Sequence, residues 1–308
     1  MSAEKVSPSA VIAFVFLGVI WGSNFIFVKW AALHVTPLQI TLLRVAFGFL
    51  PVLVYAAAKG VLRREHLRHA PHFIVMSLLA TALYYYAFAK GTALLPSSVA
   101  GVLSGAIPLF TFLCAALFLR GERINVTRII GVILGFVGVV LIARPWSVHG
   151  TISLAGAGYM LAGSFSVGVS FVYARRFVSP LGLPAAALTT YQIGFALLLL
   201  LAVTPLEGIG AVFDDSRAWI GLIFGLGLLG TGLAYIAYYH IVESLGAIAA
   251  SSVTYIPPVV ALLIGVLAAG EKVDAIALLA IAFILAGVAC LQWGAMARSQ
   301  PRGSLVSR

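Results

Sequence analysis

The sequence predicts an all-α integral membrane protein, with ten transmembrane helices in a five-plus-five inverted repeat around a central cavity. Three observations carry this. Apolar residues fill 62% of the 308 positions and charged ones 9%, too little charge to cover a soluble fold of this size. The apolar residues come in runs of about 20, enough to cross a hydrocarbon core of about 30 Å, and the short alternating segments of a β-barrel are missing. The chain also repeats itself. Shifted by 149 residues, Tyr86 falls on Tyr235, Ala100 on Ala249, Ile107 on Ile256 and Gly138 on Gly287. AGVLSGAIPLFTFLCAALFLRGERIN surrounds Pro108, ASSVTYIPPVVALLIGVLAAGEKVD surrounds Pro257, and each proline precedes its Gly-Glu glutamate, Glu122 or Glu271, by 14 residues. A repeat with a broken helix at the same place in each copy marks a membrane carrier.

The spans follow in order. Span 1 (11–32) follows a lone Lys5 and carries Trp21-Gly22-Ser23-Asn24 at its centre. It is too long and too polar there for a cleaved signal peptide, so it stays as a span behind a short segment, 1–10. Span 2 is 37–58. Span 3 (71–94) sets Thr81, Tyr84, Tyr85 and Phe88 at helical spacing on one broad face. Span 4 (97–119) has Pro108 at its middle, with Gly101-x-x-x-Gly105 one turn ahead, and span 5 (127–143) closes the first repeat, 11–143. Span 6 (151–173) carries Ser164, Ser166 and Ser170, and span 7 is 184–204. Span 8 (218–242) carries Thr231, Tyr235, Tyr238, Tyr239 and His240. Span 9 (247–269) has Pro257-Pro258 at its middle, and span 10 (274–293) ends the second repeat, 151–293. The tail 294–308 is short, basic and rich in Ser and Gly, the composition of disorder.

Charge sets the direction. Thirteen of the nineteen Lys and Arg residues lie at the two termini and in alternate loops, among them Lys59, Arg63, Arg64, Arg68, Arg175 and Arg176, whereas the opposite loops hold Arg144, Arg217 and Lys272. That bias puts both termini in the cytoplasm. The net charge of +10 is therefore a topology signal that also favours anionic lipid headgroups, and nucleic acid is not expected. Five spans per half is an odd number, so the second half runs upside down, with Glu122 cytoplasmic and Glu271 facing outward. Exchanging the conformations of such halves turns an inward-open shape into an outward-open one.

The prolines locate the cavity. Each removes an N–H and displaces the carbonyl four residues back, and such breaks persist in a membrane only inside protein or beside a wet cavity. Ser104, Ser252, Thr254 and Tyr255 add polar groups at that level. Tyr84, Tyr85 and Tyr235 lie deep, where a phenol needs a polar partner, whereas Tyr238 and Tyr239 read equally well as interfacial anchors. Asn24 beside Trp21 is either a helix-pair hydrogen bond or a ligand. Lys29, Arg44 and Lys90 fall within spans, and none of the nine Asp and Glu residues lies deep enough to pair with them. Lys29 reads as snorkelling; Arg44 and Lys90 bond helix-end carbonyls or attract a substrate carboxylate. With no buried acid to relay protons, passive carriage without tight proton coupling is expected.

Other signals carry less. Gly225-Leu-Gly227-Leu-Leu-Gly230 spells G-x-G-x-x-G, but it lies inside an apolar span with no strand before it, so it reads as close packing. Cys114 and Cys290 sit in apolar runs, which implies no disulfide or metal framework. No H-E-x-x-H or paired intramembrane aspartate supports an enzyme, and neither cofactor nor metal is expected.

WGSNFIFVKWA in span 1, LLRVAFG in span 2 and the twin P…GE spans resemble the EamA branch of the drug/metabolite transporter superfamily, over about residues 11–293. Within it the chain is most similar to YddG-type exporters of aromatic and other neutral amino acids. The resemblance implies a basket-like bundle in a bacterial inner membrane. Its cavity would be lined by spans 1, 3, 4, 6, 8 and 9, and it would rock at the hinge prolines Pro108, Pro257 and Pro258. No family motif fixes the substrate residues, so the set drawn from this sequence is Trp21, Asn24, Thr81, Tyr84, Tyr85, Lys90, Ser104, Ser164, Tyr235, Tyr239, Ser252 and Tyr255. The expectation is export of amino acids such as Phe, Met and Thr by a monomer. Export of hydrophobic drugs or another metabolite in exchange for protons is the alternative, and a channel would need no twin kinks.

Overall fold

The computed structural model describes residues 8–119, 125–143 and 152–296, with the side chains at 246–252, 255 and 292–296 outside that description. Every regular element among them is helical. Among the described residues eight helices are long and apolar enough to cross a membrane: α1 (Pro8–Ala31), α2 (Pro37–Ala58), α3 (Arg64–Leu94), α4 (Ser97–Phe118), α5 (Val126–Ala143), α6 (Leu154–Leu181), α7 (Ala185–Val203) and α8 (Ser216–Leu245). Two further apolar helices follow, α9 (Ile256–Ala269) and α10 (Ala275–Met296). Large apolar side chains point outward from most of them, Leu117 at 78% exposure and Leu267 at 81%, an arrangement that water does not tolerate and lipid does. The chain is a multi-pass membrane protein.

Local chemistry sets the helix ends. Thr36 and Gln39 form a capping box ahead of Pro37, and Asp215 accepts from the first amides of α8 at 2.7 and 2.9 Å. Helix α3 begins earlier than the apolar run, because the 3₁₀ turn Arg64–His69 feeds directly into it. Helix α6 runs past the expected end at 173, through the π segment Ala174–Val178. The largest departure is in α8, where Ile220–Leu233 is π-helical. Thr231 accordingly donates to the Leu226 carbonyl five residues back, at 2.9 Å.

Glycines bring the helices together. A Cβ at Gly138 would lie 2.6 Å from the Ala280 carbonyl oxygen, and one at Gly287 2.5 Å from that of Gly131, so α5 and α10 touch backbone to backbone. Helix α8 lies antiparallel to α1, with Gly230 against Asn24 and His240 bonded to Ser9. Helix α9 lies parallel to α1, with Gly18 against Ile256 and Gly22 against Val260. The chain direction therefore reverses between α8 and α9. The main packings are α1 on α8 and α9, α6 on α3 and α4, α2 on α8, α7 on α3, α2 on α7, α4 on α9 and α5 on α10.

Candidate functional site

Both proline neighbourhoods break in the same way. Helix α4 tightens into a 3₁₀ turn at Ser104–Ala106 before Pro108, and a 3₁₀ turn at Val253–Tyr255 precedes Pro257. The Ser104 hydroxyl folds back onto the Gly101 carbonyl at 2.6 Å, satisfying its own helix. Helices α4 and α9 cross antiparallel, Gly101 against Ala261 and Ser98 against Gly265, with no room for a Cβ at either glycine.

Beside this crossing, α1, α2, α3 and α8 meet around Arg44. Its side chain is 7% exposed. Its Nε donates to Thr231 Oγ1 at 3.0 Å, and its guanidinium carbon sits 3.9 Å from the Tyr85 ring centroid. The Asn24 amide lies 3.2 Å from Arg44 Nη2 and 3.1 Å from the Ile20 carbonyl, and the orientation that satisfies both turns its oxygen to the guanidinium. Tyr235 packs against the buried cluster that holds Tyr85. Tyr84 lies against both Tyr85 and Phe88, with ring centroids 5.0 and 4.5 Å apart. Trp21 is one layer away, its ring 6.3 Å from Tyr238. Asn24, Tyr84, Tyr85 and Tyr235 thus gather at one place, where three helices of the first half meet one of the second.

The other candidates lie elsewhere. Thr81 accepts from Gln192 Nε2 of α7 at 2.9 Å. The Tyr239 hydroxyl is turned to α7, where it bonds Thr189 and the Ala185 carbonyl. Ser164 is fully buried with no hydrogen-bond partner for its hydroxyl. Ser166 bonds the Leu79 carbonyl of α3 at 2.7 Å, and Ser170 bonds the carbonyl three residues back in its own helix. Lys90 is half-buried. The side chains of Ser252 and Tyr255 lie outside the described residues, as do Glu122 and the tail from 297.

A second polar cluster fastens the α3–α4 corner. Lys29 Nζ donates to the Ala93 and Leu95 carbonyls at 3.2 and 2.7 Å, at the end of α3. Glu271, on the loop after α9, accepts at 2.7–2.9 Å from the Ser97 and Ser98 amides and the Ser97 hydroxyl, and also from the Ser98 hydroxyl. Burial by itself raises the Glu271 carboxyl, but the bonds from Ser98 and Ser97 outweigh it and hold the group below its ordinary value. A cation thus bonds a helix C-terminus and an anion a helix N-terminus.

Sequence reasoning did not find Gln192, although the 149-residue offset brings it within one position of Arg44. It read the glycines of α8 as packing, and they do pack: a Cβ at Gly225 or Gly227 would strike Phe27 or Phe47. Among the described residues, no three His, Cys, Asp or Glu side chains gather to hold a metal. What the central arrangement offers is recognition, with aromatic faces, phenols, an amide and one buried cation.

Known proteins agree with the architecture. The uncharacterized transporter YdfC of Bacillus subtilis is 26% identical over 269 residues, covering 87% of this chain and 86% of that one. The uncharacterized inner membrane transporter YedA of Escherichia coli K12 is 28% identical over 199 residues, 65% of this chain and 63% of that one. A solved structure, titled "Crystal structure of protein", matches with a TM-score of 0.62 over 95% of this chain and 99% of its own at 22% identity, a likeness of fold alone. The model of the EamA-like transporter family matches twice, at residues 8–144 and 154–293. This chain belongs to the EamA-like transporter family.

Proposed function

We propose that the protein is a monomeric carrier that exports amino acids, aromatic and other neutral ones such as Phe, Met and Thr, by alternating access and without tight proton coupling. In this reading ten helices cross a bacterial inner membrane as an inverted repeat with both termini cytoplasmic, and Pro108, Pro257 and Pro258 are the hinges. The observation that carries it is exchange symmetry in the packing. Swapping α1–α5 with α6–α10 turns α1 on α8 into α6 on α3, α1 on α9 into α6 on α4, and α2 on α8 into α7 on α3. The pairs α2–α7, α4–α9 and α5–α10 map onto themselves. The same swap takes the Gly138–Ala280 approach onto Gly287–Gly131, and the two 3₁₀ turns onto each other. Two halves packed alike can exchange conformations, which is what a carrier requires.

The cargo class rests on the wall of Tyr84, Tyr85, Phe88 and Tyr235, suited to an aromatic or apolar side chain by stacking and burial. Counterflow in proteoliposomes tests the reading: unlabelled phenylalanine inside, labelled phenylalanine outside, no proton gradient. Accumulation of label is the expected result. Uptake only under a pH gradient, or only of a hydrophobic cationic dye, would overturn it in favour of a drug or metabolite antiporter.

A further inference from the structure

Arg44 carries more charge than its structural role needs. The 149-residue repeat supplies an internal control. Arg44 of α2 donates to Thr231 of α8 at 3.0 Å, and Gln192 of α7 donates to Thr81 of α3 at 2.9 Å. Gln192 stands 148 residues after Arg44 and Thr231 stands 150 after Thr81, so these are equivalent ties, each made at a threonine in a π-helical segment. On one side a neutral amide makes the tie. On the other a guanidinium makes the same tie, and a guanidinium keeps its charge even when buried.

Among the described residues that charge has no counter-ion. In the sequence none of the nine Asp and Glu residues lies deep within an apolar span. Arg44 is 7% exposed, and its protein partners are the hydroxyl of Thr231, the amide of Asn24 and the ring of Tyr85. Among the described residues no protein group accepts a hydrogen bond from Nη1. A buried cation without an anion costs several kcal/mol, and in a membrane interior such a group points to function with a partner of opposite sign. Planar guanidinium edges match carboxylates in two parallel bonds. The Tyr85 ring lies against the guanidinium, and Tyr84 and Tyr235 pack against the cluster that holds Tyr85.

We infer that Arg44 is the anion-recognition residue of this protein: its cargo brings a carboxylate to the free edge of the guanidinium while its apolar part lies against the tyrosines. This rests on the carrier reading and sharpens it, because a neutral or cationic drug would leave Arg44 unpaired. The test is equilibrium binding to the purified full-length protein in nanodiscs, with two acid–amide pairs as probes: phenylalanine against phenylalaninamide, and 3-phenylpropionate against 3-phenylpropionamide. Each acid binds about tenfold to hundredfold more tightly than its amide, the worth of one charged hydrogen-bonded pair.

Arg44→Gln copies the neutral tie of Gln192. It unfolds within a few degrees of the wild type and brings both ratios close to one, while Arg44→Lys keeps a reduced preference for the acid. The inference is overturned if the wild type binds amides as well as acids, if neither acid binds, or if Arg44→Gln weakens acid and amide alike. Should Arg44→Gln fail to fold, the wild-type ratios and Arg44→Lys still decide. Preference for phenylpropionate over its amide, without binding of phenylalanine, removes the amino-acid reading and leaves Arg44 standing.

Discussion

Arg44–Thr231 and Gln192–Thr81 hold equivalent places in the two halves, with nearly equal lengths of 3.0 and 2.9 Å. Both donors are buried, at 7% and 8% exposure, so burial does not explain why one is charged. Geometry does not explain it either, since the amide makes the same bond. What differs is the surroundings: Arg44 also meets Asn24 and the tyrosine cluster. If Arg44 receives the cargo as proposed, a fold built from two similar halves keeps a tie for structure in one and converts its twin for recognition in the other. The α3–α4 corner makes the converse point. There Lys29 and Glu271 spend their charges on helix ends, and neither is left to attract cargo.

The strongest way to break this comparison is to charge the neutral twin. Gln192→Arg buries a cation with no designated anion, and thermal or denaturant unfolding should show a loss of about 3–5 kcal/mol. Stability equal to the wild type would mean that the fold tolerates charge at both ties, and the argument for Arg44 would weaken.

Glu271 sharpens the contrast with a charge that is fully satisfied by protein. Glu271→Gln should cost about 1–3 kcal/mol in stability, as charge-assisted bonds to the start of α4 are lost, without altering the acid–amide binding ratio. Because the folded-state pKa of Glu271 is lowered, its contribution is complete above the ordinary carboxylate range and disappears as pH falls through the lowered value. The wild type should show that acid limb in its unfolding temperature, and Glu271→Gln should lack its share.

The smallest effect is expected at the neutral tie. Thr81→Val removes the acceptor of Gln192 at nearly constant volume and should cost about 1 kcal/mol, with binding ratios unchanged. A change in cargo preference on this substitution would place part of the recognition site at the α3–α7 tie.

Much was legible in advance because it is written locally along the chain. Pro37–Ala58 was bounded to the residue by its polar flanks, and the twin breaks followed from proline lacking an N–H. The binding groups were harder to read. Tyr235 and Tyr239 share one helix and one residue type, yet Tyr235 packs toward the Tyr85 cluster while Tyr239 bonds α7. Ser104 looked available and is spent on its own carbonyl. Side chains one turn apart face different neighbours, and composition does not say which.

The sequence alone determined that this chain fills a membrane with apolar helices, that its two halves repeat, and that each half breaks at a proline, because span length, offset and missing N–H groups are local quantities. The tertiary structure decided the rest. It paired Arg44 with a threonine 187 residues away, gave its twin Gln192 the same task, and enclosed the charge among tyrosines. Such placement depends on how helices cross, and in lipid the crossing is set by small residues and close packing along the whole interface.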